Sequence, residues 1–210
     1  MSKVIAILVL IALAAIPAAA DIFQVEISGE VDSNFVHFGQ FANVTSGDAV
    51  LVQFQVDSED YLDSPDLLTR GYPISNYSIM VGTVTVGLCD PYPVDLVPYY
   101  VLSDNDSDVD LFRLLTGTEY PPGVYLDAPG NIDPFLRNAF TVCYDGDTLG
   151  SLDIAGAVGT YGQDGLGGSF FNLLDGPYYA ITFLFTRMTI SIVSVATQAR
   201  TLTEVKNLFR

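Results

Sequence analysis

This chain of 210 residues has no tryptophan, a single histidine, two cysteines, and only eight Lys and Arg against 25 Asp and Glu. Each scarcity removes a class of function. One histidine and two cysteines far apart in sequence cannot assemble a zinc cluster. A Ser–His–Asp machine would have to use His37, which sits among Val36, Phe38 and Gly39. No Gly-x-Ser-x-Gly elbow accompanies it, so His37 is expected to be structural or exposed. The glycines at 165–168 lack the lysine and helix of a phosphate-binding loop. A net charge of −17 repels nucleic acid and anionic membrane surfaces. Without tryptophan, sugar stacking would fall to tyrosines such as Tyr99, Tyr100, Tyr120, Tyr178 and Tyr179, most of which are expected to be partly buried strand residues. The 25 acids allow many carboxylate pairs, so a secreted glycoside hydrolase-like enzyme stays a third reading with no pair singled out.

What is present begins with a leader. Lys3 precedes an apolar run from Val4 to Ile16, Pro17 breaks it, and Ala18, Ala19 and Ala20 give the small-x-small pattern of a signal peptidase site. Residues 1–20 are expected to be a signal peptide cut before Asp21. The run is too short for a comfortable membrane span, and the mature chain is expected to have none. Losing Lys3 moves the net charge to −18.

The rest is rich in Phe (13), Tyr (12), Gly (18) and β-branched residues, which favours an all-β domain over 21–196. Phe23, Val25, Ile27, Gly29 and Val31 alternate with polar residues, as do Val50, Val52, Phe54 and Val56. That is the two-residue period of half-buried strands. Further strands are expected within Ile74–Leu88, Val109–Leu115, Val124–Leu126, Ala139–Tyr144 and Thr148–Ile154. Within Tyr178–Ala196, alternation through Ile181, Phe183 and Phe185, and again through Met188, Ile190 and Ile192, predicts two strands or one long bent one. Asp57–Pro73 reads as a surface loop, Gly156–Gly168 as the most flexible stretch, and residues 197–210 as a short helical or frayed basic tail. Strands at this spacing predict an antiparallel two-sheet sandwich, jelly-roll-like.

Two chemical features stand out. Asp104, Asp106, Asp108 and Asp110 alternate over a short span, as oxygen ligands for calcium would, although Val109 and Leu115 occupy the positions where an EF-hand needs Gly and Glu. The competing reading is a solvated acidic turn. Asp57, Asp60, Asp63 and Asp66 form a weaker second candidate. Cys89 and Cys143, in an exported chain, are expected to pair. Such a bridge would close a loop of about 55 residues, contributing roughly 4 kcal/mol on the chain-entropy estimate. Asn43-Val44-Thr45, Asn76-Tyr77-Ser78 and Asn105-Asp106-Ser107 match the N-glycosylation pattern, which matters only in a eukaryotic host.

A series of short motifs resembles a known group. Ile27-Ser28-Gly29-Glu30-Val31 is followed by Phe38-Gly39, then by Gly47-Asp48 and the Val52–Asp57 strand. Asp63-Ser64-Pro65-Asp66, Gly71-Tyr72-Pro73-Ile74 and Val81-Gly82 continue the order, with the Asn/Asp cluster at 104–106 and Leu174-Asp175-Gly176 later. In these the chain resembles bacterial exported β-sandwich domains of the kind found in PEP-CTERM-type proteins. The sorting tail itself is absent: Ile192–Arg210 stands where the Pro-Glu-Pro, apolar helix and Arg cluster would be. The resemblance implies a secreted or cell-surface domain in an exopolysaccharide setting and supplies no catalytic residues. The expectation is an exported, non-enzymatic structural or matrix-associated module, with an extracellular carbohydrate- or calcium-binding module as the alternative and polysaccharide or matrix as the partner.

Overall fold

A computed structural model describes residues 20–193, apart from 107, 118–121, 131–135 and 177; the side chain of Asp106 is also outside the description. The leader (except Ala20), the tail at 197–210 and Tyr120 therefore lie outside the described residues. Strand accounts for 60% and helix for 4%, which makes the class all-β. No helix among the described residues is long and apolar enough to cross a membrane.

The strands are β1 (Ile22–Asn34), β2 (Ala49–Asp57), β3 (Leu62–Asp63), β4 (Thr69–Pro73), β5 (Ser75–Val81), β6 (Val84–Val86) and β7 (Pro98–Asp106). They continue with β8 (Val109–Thr116), β9 (Val124–Leu126), β10 (Leu136–Asp145), β11 (Gly159–Tyr161), β12 (Leu166–Asp175) and β13 (Tyr179–Ile192). Two 3-10 turns, Gly39–Phe41 and Ile154–Ala157, are the helical elements among the described residues.

The predicted alternation in β1 and β2 holds. Phe23, Val25, Ile27, Val50, Val52, Phe54 and Val56 are all buried, and the two strands pair without a slip from Ile22↔Asp57 to Glu30↔Ala49. β13 is one long strand, and its change of phase has a local cause. Ser28 pairs with Arg187 but Gly29 pairs with Phe185, so Thr186 is an extra residue in the ladder. That bulge moves burial from Ile181, Phe183 and Phe185 to Met188 and Ile190. Gly29 is required here, because a Cβ on it would stand 2.5 Å from the Leu184 carbonyl oxygen.

The strands form one hydrogen-bonded path, β3-β4-β7-β8-β10-β12-β13-β1-β2-β5-β6, with β9 beside β10 and β11 beside β13. This single sheet curls strongly into an antiparallel half-barrel instead of dividing into two separately bonded sheets. The residues at 69–81 explain the curl. β4 pairs with β7 and β5 pairs with β2, with only Ile74 between them, so one bent segment serves both flanks. The interior then zips the flanks together: the Phe54 and Tyr100 rings lie 5.2 Å apart, and Asn138 donates a 2.7 Å bond to the Tyr77 hydroxyl.

Several sequence expectations are corrected. Asp57–Pro73 is not all loop, since β3 and β4 lie in it. Thr148–Ile154 is not a strand; its backbone instead serves as hydrogen-bond donor and acceptor to Asp110 and Tyr72. The stretch at 156–168 contains β11 and the start of β12. The Cys89–Cys143 bridge does not form, and both thiols are free. Cys89 lies against Tyr125, which pairs with Arg137, whereas Cys143 is six residues further along β10. At strand rise that is roughly 20 Å, far beyond the reach of a disulfide.

Candidate functional site

The β7–β8 hairpin carries the acidic run. The ladder slips between Ser103 and Asp106, and Asn105 and Asp108 adopt left-handed backbone angles (φ 53° and 67°), which Asn and Asp tolerate better than other side chains. Asp110 points inward and is fully buried. Its Oδ1 accepts from the Asn105 amide at 2.8 Å, and its Oδ2 accepts from the Thr148 and Leu149 amides, both at 2.6 Å. One carboxylate thus ties the hairpin to the segment after β10. A carboxylate has about four lone-pair sites, so one remains for another partner.

Asp104, Asp110 and Asp147 each offer a carboxylate oxygen, and these oxygens lie within 4.8 Å of one another. They come from β7, from β8 and from the turn after β10. Asp104 also accepts from the Asn105 side chain at 2.7 Å. Calcium takes six to eight oxygens at about 2.3–2.6 Å. Three carboxylates would supply part of such a shell, with carbonyls or water completing it.

Of the four predicted calcium ligands, Asp104 and Asp110 come together. Asp108 does not join them; it is exposed at the turn, and its carbonyl accepts from Gly146. The Asp106 side chain is outside the described residues. Asp147 was hidden because Asp145-Gly146-Asp147 reads locally as a turn, and nothing in it announces a partner some forty residues earlier.

The second acidic stretch does not converge. Asp63 makes a bidentate pair with Arg70 (2.6 and 3.0 Å), which holds its carboxyl below the usual range chiefly through that hydrogen bond. Asp57 instead caps the Glu59 amide at 2.8 Å. His37 is exposed. Among the proposed sugar platforms, Tyr100 is fully buried, donating to the Met188 sulfur at 3.2 Å, and Tyr179 packs edge-on against Phe38. Tyr178 alone among the described candidates stands out, at 86% exposed.

Open hollows lie among the described residues. One, of about 250 Å³, lies between Gln40, Asn43, Asp48 and Thr83. Another, of about 320 Å³, lies between Asp21, Glu59, Tyr61, Arg70 and Asp153. No protein family, curated protein or solved structure matches this chain.

Proposed function

We propose that this chain is an exported, non-enzymatic module that acts outside the cytoplasm as a structural or matrix-associated element. The observation that carries this reading is how the interior polar groups are used. Tyr72 donates to the Leu152 carbonyl at 2.7 Å and accepts from the Ile154 amide at 2.9 Å; Tyr77 is bonded to Asn138; Asp110 holds three backbone amides. These groups brace the fold, which suits a part whose task is to persist. The leader and the resemblance to PEP-CTERM-type exported domains support the location, and the strong curl is compatible with a sandwich-like, jelly-roll arrangement of the flanks. Extracellular polysaccharide is the partner the resemblance favours.

The test is fractionation of the full chain expressed in a bacterium, followed by incubation of the recovered protein with a polysaccharide panel. The expected result is a processed product outside the cytoplasm that releases no reducing ends. Leader-bearing product in the cytosol would refute export, and hydrolysis would refute the non-enzymatic reading.

The convergence of Asp104, Asp110 and Asp147 favours a second reading, in which calcium clasps the β7–β8 end of the sheet. Calorimetry with calcium against EGTA decides it. Heat of binding and a raised melting temperature, both lost in Asp147→Asn, are expected; no heat in the wild type ends it.

A further inference from the structure

The larger hollow opens where β1 begins, and its charges are unbalanced. Arg70 is the cation among its lining residues, and its guanidinium is committed to Asp63 while lying 3.8 Å from the centre of the Tyr61 ring. Three acidic residues, Asp21, Glu59 and Asp153, line the same space. One further nitrogen is at hand. The backbone N of Asp21 donates to Ser58 Oγ at 3.2 Å, and the Ser58 amide donates back to the Asp21 carbonyl at 3.1 Å. This pair continues the β1–β2 ladder one step past Ile22↔Asp57.

We propose that the peptide bond between Ala20 and Asp21 is the processing site, and that the α-ammonium released there becomes the missing cation of this hollow. The inference rests on the export reading. In the uncut chain the Asp21 nitrogen is a neutral amide with one proton. Hydrolysis by a signal peptidase breaks the C–N bond: the hydroxyl of water goes to the Ala20 carbonyl carbon, and the nitrogen gains the water proton and a second one from solvent. A neutral single donor becomes a cation with three. One proton keeps the bond to Ser58 Oγ, and the other two become available to Glu59 and Asp153, which line the same hollow. A cut further upstream would place the charge on a residue other than Asp21, and a cut further downstream would remove ladder residues of β1. Leader removal on this account also fastens the first strand.

The mature chain makes the test clean, because Lys206 is its only lysine. An α-amino group titrates near 7.7–8.0 and a lysine near 10.4, so mild acetylation around neutral pH selects the terminus. The full precursor is exported from a bacterial host, the product is sequenced from its N-terminus, and melting is compared before and after acetylation. The expected start is Asp21, and acetylation is expected to lower Tm by about 1–3 °C, the scale of a surface ion pair in a domain of this size. In Glu59→Gln/Asp153→Asn the same acetylation should change Tm by less than about 1 °C, since the pairing is gone. Asn at 153 still accepts from the Ala155 amide, so the turn it caps is kept. An equal shift in both backgrounds, no shift in the wild type, or an exported chain starting elsewhere would overturn this inference and leave export standing. Retention of the leader in the cytosol would sink the export reading itself.

Discussion

The pair β1–β2 and the hairpin β7–β8 belong to one sheet and are held in opposite ways. β1 and β2 run in register over nine residue pairs, bury one apolar face, and on the other face join Gln53 to Glu26 at 2.6 Å and Gln55 to Gln24 at 3.2 Å. β7 and β8 slip, turn through left-handed residues and depend on a buried carboxylate. The first pair is stabilised by area removed from water, which is non-directional and tolerant. The second is stabilised by a few directed bonds, whose loss leaves buried donors unsatisfied. The two regions should therefore fail under different insults.

The harshest insult is alkali. Burial pushes the hydroxyls of Tyr77 and Tyr100 well up, and burial with Tyr161 nearby takes Tyr144 to about 12. A tyrosine whose folded pKa lies above its unfolded value near 10 keeps its proton longer when folded. Its contribution is complete below about pH 10 and is lost as pH climbs through the folded value. Unfolding is expected to set in above about pH 10 and to be advanced by pH ~12, with tyrosinate absorbance rising together with loss of near-ultraviolet dichroism. Smooth ionisation of all 12 tyrosines with the fold intact would contradict the packing described.

Phe54→Ala comes next. Its ring lies 6.2 Å from Tyr77 and 5.2 Å from Tyr100, so it links β2 both to its neighbour and to the opposite flank. Truncating a buried Phe costs about 3–5 kcal/mol, read as a fall in urea midpoint. A cost under about 1 kcal/mol would mean that the flanks do not meet there.

The same contrast explains what could be read from the residues alone. β1, β2 and β13 announce themselves because burial on one face writes alternation into the sequence. β7 is masked by the acids at its end, which serve the turn more than the ladder. β12 is masked by Gly167 and Gly168, which read as a flexible loop but stand where the sheet is crowded. A Cβ at 167 would meet Asp145 Oδ1 at 2.5 Å, and one at 168 would meet the Cys143 sulfur at 3.3 Å. The curl was equally hidden, since spacing between strands does not reveal that residues 69–81 serve two flanks. At the acidic cluster, Asp104 and Asp110 follow from local alternation, whereas Asp147 arrives only through the path of β10.

Asp110→Asn sharpens the comparison at the other region. The amide keeps one acceptor oxygen in place of two and turns donors toward the backbone amides it faced. A cost of about 2–3 kcal/mol is expected, the scale of hydrogen bonds to a charged group. Hydrogen exchange should show the loosening at Asn105, Thr148 and Leu149, with β1 and β2 still protected. The exposed neighbour change Asp108→Asn should stay within about 0.5 kcal/mol. Equal effects of the two changes, or exchange spread evenly over the sheet, would remove the distinction between the regions.

The smallest effect is expected from the cysteines. Cys89 lies beside Tyr125 and Cys143 is part of β10; both are half-buried, and the Cys143 thiol donates to the Gly168 carbonyl at 3.5 Å. Burial raises the Cys89 thiol, with the nearby Asp127 adding to it, so less of the nucleophilic thiolate forms at neutral pH. Oxidation would have to bring Cys89, held beside Tyr125 opposite Arg137, to Cys143 roughly 20 Å further along β10, and the ladders with β8, β9 and β12 forbid that without unfolding. The double change Cys89→Ser/Cys143→Ser, and added reductant, should therefore each leave Tm within about 2 °C. A reductant-dependent drop as large as a 55-residue loop closure implies, roughly 4 kcal/mol, would require β9 and β10 to run together differently and would redraw that flank of the sheet.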